Sequence, residues 1–128
     1  MRHLRLFLVL AGLLAVAACS SSTTTSPGAA AASSAASMPI HVKDFTLNPL
    51  AVTSTGGSVS LAVTNDGPTI HNVTIRDSSG TVVAGTKDLQ PGTSETLSTK
   101  LAPGAYILFC SLPGHESLGI KGTLTVSP

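Results

Sequence analysis

From Ile40 to the C-terminus, apolar residues recur at about every second position, and Gly, Pro, Asn and Asp interrupt the runs. A period of two is that of a strand with one face buried. The clearest stretch is 58–64, where Val59, Leu61 and Val63 alternate with Ser58, Ser60, Ala62 and Thr64. The pattern predicts strands near 40–47, 50–53, 58–64, 69–76, 81–84, 94–101, 104–110 and 120–127. Turn signals separate them at Gly56-Gly57, Asn65-Asp66-Gly67-Pro68, Ser79-Gly80, Pro91-Gly92 and Pro103-Gly104. Ile40 and Val42 are out of phase with Phe45 and Leu47, which predicts a kink near Lys43-Asp44. No stretch shows a capped helical period. Short strands at this spacing predict an all-β, antiparallel sandwich or barrel.

Residue parity sorts the side chains between faces. His71 shares parity with Val73 and Ile75, Cys110 with Tyr106 and Leu108, and Ile120 with Leu124 and Val126. His71, Cys110 and Ile120 are therefore expected to point inward near the ends of their strands, although a single bulge would reverse any of them. Ile107 and Phe109 fall on the opposite face, and His41 lies on the polar side of Ile40 and Val42 as an exposed strand histidine.

The N-terminal part follows another pattern. Arg2 and Arg5 precede an apolar run from Leu6 to Ala18 that ends in small residues, the layout of an export signal. Thirteen residues fall short of the roughly 20 that a membrane-spanning helix needs, so 1–18 reads as a processed signal peptide. Val16-Ala17-Ala18-Cys19 resembles a bacterial lipobox, in which the cysteine becomes the lipidated first residue. The alternative is a cysteine that merely ends an ordinary signal; the Ser/Thr-rich stretch behind it favours the lipid. Residues 20–38 are almost entirely Ser, Thr, Ala, Gly and Pro, without charge, and read as a flexible tether spanning roughly 25 Å as a coil. Segment 19–38 is thus an anchor and linker, and 39–128 a single domain long enough for one core.

Charge and cysteine usage narrow the function classes. Without Arg2 and Arg5 the chain carries five Lys and Arg against six Asp and Glu, a formal charge of −1. A near-neutral domain with one Tyr and no Trp lacks the basic surface of a nucleic-acid binder. Exported chains normally pair their cysteines. A lipid on Cys19 leaves Cys110 without a partner, whereas a Cys19–Cys110 disulfide is incompatible with that lipid. The carboxylates Asp44, Asp66, Asp77, Asp88, Glu95 and Glu116 are scattered, and no pair forms an evident acid/base couple.

His71, Cys110 and His115 are the candidate soft-metal ligands. Cys110 and His115 bracket the turn Ser111-Leu112-Pro113-Gly114 at the end of an apolar strand. One thiolate with two imidazoles suits copper, and a trigonal His2Cys set is the pattern of electron-transfer copper sites. Zinc at the same groups and a Cys-His nucleophile are the alternatives. Nitrogen and sulfur sites favour divalent copper over zinc, and inward parity with a third ligand-type residue weighs against the nucleophile.

His71-Asn72, then Cys110-Ser111-Leu112-Pro113-Gly114-His115, then Gly119-Ile120-Lys121-Gly122 resemble the copper motif of plastocyanin-like cupredoxins. Asp44-Phe45, Val63-Thr64-Asn65 and Pro103-Gly104-Ala105-Tyr106 extend the likeness over nearly the whole domain. The resemblance implies a Greek-key β-sandwich with one type 1 copper held by His71, Cys110 and His115. It also implies that Asn72 ties its strand to Ser111 and so supports the thiolate loop; the alternative is an exposed strand asparagine.

Two departures from that family matter. Ile120 stands where relatives carry a weak axial methionine, and Met1 and Met38 lie in the signal and the tether. Isoleucine cannot coordinate, so either the site is three-coordinate with a raised reduction potential, or the domain has left redox work. Phe109 replaces the tyrosine that plant-type relatives carry before the cysteine; it either contacts a partner or covers a neighbouring surface. The expectation is a monomeric, non-enzymatic one-electron carrier cycling Cu(I)/Cu(II). It would be lipid-anchored, face the periplasm or cell exterior, and exchange electrons with exported redox proteins. Copper scavenging or delivery, with a copper-handling partner, is one alternative, and a metal-free adhesion or scaffold module is another.

Overall fold

The computed structural model describes residues 36–128; the expected export signal, Cys19 and most of the expected tether lie outside the described residues. In chain order the elements are β1 (Met38–Lys43), β2 (Thr46–Asn48), β3 (Ala51–Thr55), β4 (Ser58–Asn65), β5 (Thr74–Arg76), β6 (Val82–Gly85), β7 (Ser94–Lys100), β8 (Gly104–Phe109), α1 (His115–Leu118) and β9 (Lys121–Ser127). They form a four-stranded sheet in the order β2-β1-β4-β7 and a five-stranded sheet in the order β3-β9-β8-β5-β6. β1 runs parallel to β4 and β3 parallel to β9; the other pairs are antiparallel. The chain changes sheet at β2–β3, β3–β4, β4–β5, β6–β7 and β7–β8, which makes the molecule a Greek-key β-sandwich.

The alternation seen in the sequence supplies the core between the sheets. Ile40 and Val42 of β1, Val59, Leu61 and Val63 of β4, Leu108 of β8 and Leu124 and Val126 of β9 are all buried, and their strand neighbours turn outward or are half-buried except Phe109, which is buried on the opposite face of β8. Each fully buried aliphatic side chain contributes roughly 1.5–3 kcal/mol. His71, Cys110 and Ile120 join this interior at 0%, 1% and 0% exposure, on the side that parity assigned them.

The observed elements depart from the predicted ones in three places, all beside the site. The phase break near Lys43-Asp44 is a full reversal of the chain and not a kink: β1 and β2 pair with Lys43 opposite Thr46, leaving Asp44 and Phe45 as a two-residue turn. Phe45 takes φ 61°, a left-handed conformation that usually falls to glycine, so a phenylalanine in this position hides the turn from the sequence pattern. The predicted strand 69–76 shrinks to Thr74–Arg76, and His71 meets the sheet only through an isolated bridge to Leu89. The buried Asn65 holds this loop away from a ladder. Its Nδ2 donates to the carbonyls of Thr69 and Leu89, both at 2.8 Å, and its Oδ1 accepts from Gly67 N–H at 2.9 Å. Finally, a single helical turn, α1, occupies His115–Leu118, too short to show a period in the sequence.

Two glycines bring both ligand-bearing segments against the same hairpin tip. A Cβ on Gly67 would lie 3.0 Å from Lys43 Cα and 3.1 Å from Asp44 N. A Cβ on Gly119 would lie 2.5 Å from the Phe45 carbonyl oxygen, and Gly119 also sits at φ 126°, a conformation costly for any L side chain. Gly119→Ala is therefore expected to destabilise the metal-free protein by about 1–3 kcal/mol. A lower urea midpoint with an unchanged slope is the signature to look for.

Candidate metal centre

The three ligand-type side chains arrive from different parts of the sandwich. His71 comes from the loop that precedes β5, with its backbone fastened on both sides to Leu89 at 2.7 and 3.2 Å. Cys110 follows directly on β8, where its N–H donates to the Ile120 carbonyl at 3.2 Å. His115 begins α1, and its carbonyl accepts from Ile120 N–H at 3.2 Å. Ile120 thus links the segments carrying Cys110 and His115 through its backbone, while its side chain is fully buried.

Their donor atoms converge. His71 Nδ1 lies 3.1 Å from His115 Nδ1, and Cys110 Sγ lies 3.6 Å from the same nitrogen. One donor atom from each of the three residues falls within 4.8 Å of the others. Nitrogen and sulfur atoms bound about 2.0–2.3 Å from one ion would sit about 3.5–3.7 Å apart in a trigonal array, so the cluster fits a single ion with little rearrangement. The donor chemistry, one thiol and two imidazoles, is that of a soft or borderline metal such as copper. His71 and Cys110 are buried and His115 is half-buried, which leaves one imidazole in reach of solvent.

A layer of hydrogen bonds fixes these groups from behind. His71 turns Nε2 to Asp44 Oδ1 at 3.0 Å, and the Thr69 hydroxyl donates to that oxygen at 2.7 Å. The Thr69 hydroxyl and the His71 imidazole beside it hold the Asp44 carboxyl below the usual carboxylate range. Asn72 accepts from Ser111 N–H at 2.8 Å and donates from Nδ2 to Asp88 Oδ1 at 2.8 Å and to Ser111 Oγ at 3.0 Å. It is buried, in contrast to an exposed strand asparagine, and joins the first-histidine loop to the residue after Cys110.

The helical turn is clamped as well. Arg76 grips both oxygens of Glu116, one of them at 2.8 Å, and Lys121 approaches at 3.5 Å. The Arg76 guanidinium lowers the Glu116 pKa, and Glu116 in turn raises that of Arg76. The same guanidinium lies 4.3 Å from the centroid of the Phe109 ring. Phe109 is only 8% exposed, so it covers a neighbouring surface under Arg76 and offers no free aromatic edge.

The pattern described as a cupredoxin-like domain matches residues 7–126. The chain belongs to the cupredoxin-like family. Cupredoxins bind copper and are generally electron-transfer proteins. Auracyanin-B of Chloroflexus aurantiacus is 45% identical over 47 residues, which are 36% of this chain and 20% of that protein; the match therefore spans about a fifth of the relative. The dithionite-reduced auracyanin of the photosynthetic bacterium Roseiflexus castenholzii superposes with a TM-score of 0.65 at 25% identity, over 73% of this chain and 98% of that one. The azurin Az-iso2 of the methylotroph Methylomonas sp. strain J has the same fold, with a TM-score of 0.64 at 20% identity over 73% of this cupredoxin and 100% of the azurin.

Three groups at the site were not legible as site residues. Asp44 and Thr69 reach His71 across 27 and 2 residues of sequence, and the Phe45 ring meets the His115 ring edge-on at a centroid distance of 6.1 Å. Asp44-Phe45 was visible only as a family-like pair, because a tip two residues long bears no periodic signal. His41, by contrast, is exposed as expected and pairs with Asp66 at 2.7 Å. Asn72→Ala is expected to cost about 1–3 kcal/mol, because the Ser111 N–H and the Asp88 carboxylate each lose a partner. Chemical denaturation of the metal-free protein measures it.

Proposed function

We propose that His71, Cys110 and His115 hold one type 1 copper ion and that the protein carries single electrons between other proteins. The observation that carries this reading is the convergence of one thiol and two imidazoles, buried or half-buried, within 4.8 Å of one another. Membership of a copper-binding family supports it. When bound, copper supplies the one-electron Cu(I)/Cu(II) couple. The rest of the work falls to the chain. The buried Cys110 is kept from water and from disulfide exchange, and its segment is held by the Asn72–Ser111 and Cys110–Ile120 bonds. A scaffold braced in this way limits rearrangement between oxidation states. The half-buried His115, flanked by the 43%-exposed Phe45, offers the route to an exported redox partner.

Ile120 stands where the family carries its weak axial methionine, and its side chain would offer the metal no donor atom. A fully buried aliphatic side chain donates no electron density to Cu(II), so the reduction potential lies above that of a methionine-ligated equivalent. The protein acts as a carrier and turns over no substrate of its own. The signal-like 1–18 and the lipobox-like Cys19 support export and a lipid anchor facing the periplasm or cell exterior. A second reading, copper delivery at that surface, draws on the missing thioether and on a depression of about 470 Å³ on the outer side of the 110–114 loop.

Adding Cu(II) to the purified protein is expected to give stoichiometric uptake and an intense thiolate-to-Cu(II) band, reversibly bleached on reduction. Cys110→Ser should abolish the band and leave the β-sandwich folded by circular dichroism. Ile120→Met should lower the reduction potential, and an unchanged potential would remove Ile120 from the axial position. Rapid loss of copper to a chelator, with no reversible couple, would favour delivery. Cys19→Ala is expected to move the protein from the membrane fraction to the soluble fraction of its host cell.

A further inference from the structure

His71 uses both of its ring nitrogens. Nδ1 faces the cluster, 3.1 Å from His115 Nδ1, while Nε2 points the other way, 3.0 Å from Asp44 Oδ1. An ionised carboxylate has no hydrogen to give, so Nε2 carries the proton and Nδ1 keeps its lone pair for a metal. The Thr69 hydroxyl completes the arrangement. It spends its hydrogen on Asp44 Oδ1 at 2.7 Å, which leaves its oxygen free to accept from Nε2 at 3.1 Å. The imidazole is fully buried, whereas the Asp44 side chain keeps 34% of its surface in solvent. The carboxylate therefore stays hydrated on its outer side while its inner oxygen faces the ring.

The hairpin makes this placement reproducible. Asp44 sits in the two-residue turn between β1 and β2, Asp66 N–H donates to the Val42 carbonyl at 2.8 Å, and Gly67 has no Cβ to push the tip outward. A neutral acceptor at the same point would also select the tautomer. A charged one does more, because it draws the Nε2 proton toward itself and enriches Nδ1 in electron density.

We propose that Asp44 is a positioning and tuning residue for the metal centre: its carboxylate fixes the His71 tautomer and strengthens Nδ1 as a donor, favouring Cu(II) over Cu(I). The inference rests on the copper reading above. It gives the centre two opposed controls. Ile120 withholds electron density from one side and raises the reduction potential, and Asp44 supplies density through His71 and lowers it. A merely structural ion pair between hairpin and loop would affect folding alone.

Asp44→Asn separates these roles, since the amide oxygen still accepts a hydrogen bond while the charge is gone. The copper-loaded variant is expected to keep its blue band, and the metal-free variant to stay folded with a urea midpoint lowered only by the carboxylate contacts it loses. Its Cu(II) affinity should fall 10- to 100-fold, with a smaller loss for Cu(I) and a raised reduction potential. Asp44→Glu, which restores the charge, should recover part of both. A folded Asp44→Asn protein with wild-type Cu(II) affinity and potential would overturn the proposal. Wild-type protein that takes up no Cu(II) would instead sink the copper reading, and the inference is then decided without metal. Long-range 1H–15N correlation spectra of the metal-free wild type, at mildly alkaline pH, should place the His71 proton on Nε2. A proton found on Nδ1 would refute the role given to Asp44.

Discussion

The contact between the β1–β2 hairpin tip and the two ligand-bearing segments is the constraint on which this molecule turns. Gly67 meets the tip at Lys43 and Asp44, and Gly119 meets it at the Phe45 carbonyl. Asp44 then engages His71, and Phe45 engages His115. Two residues at one turn thus touch both imidazoles, although the histidines are 44 residues apart in the chain. The left-handed backbone at Phe45 is tolerated because packing on both sides determines it.

Beneath that contact, the interior end of the site is polar and fully satisfied. Asn65, His71 and Asn72 are buried, and among the described residues no buried side-chain nitrogen or oxygen lacks a partner. An unpaired polar group there would cost about 1–3 kcal/mol, so each such residue specifies one arrangement of the loops instead of loosening the core. Asn65 shapes the loop carrying His71, Asn72 ties it to Ser111, and the Arg76–Glu116 pair holds α1 from the outer side. The three devices come from three different strands or loops, yet all act on the segments that present ligands.

A scaffold of this kind suits a function in which little moves. Electron exchange is slowed by rearrangement, and the cluster is braced by backbone bonds at Cys110, His115 and Ile120 as well as by side chains. Only His115 among the three is open to solvent, so the same framework that shields the thiol exposes a single ring. The influences proposed for Asp44, through His71, and for the buried Ile120 would tune a bound metal in opposite directions.

Much of this was written in the residues themselves. A period of two, punctuated by turn residues, determined the all-β character and placed Val59, Leu61, Val63, His71, Cys110 and Ile120 on the inner side, because side-chain direction in a strand depends only on local backbone geometry. The thiol and imidazoles of Cys110, His115 and His71 marked a candidate soft-metal set by residue type, whereas Asn72 was singled out only by the likeness to cupredoxins. The phase break at Lys43-Asp44 showed that something happened there, but a phase slip has the same appearance whether the chain kinks or reverses. The reversal, the shortening of the predicted strand at 69–76 and the turn of helix after His115 depend on which loops pack together. Asp44 acquired its place beside His71, and Phe109 its cover under Arg76, only when distant segments met. Such contacts join residues with no periodic relation along the chain, and tertiary packing alone selects them.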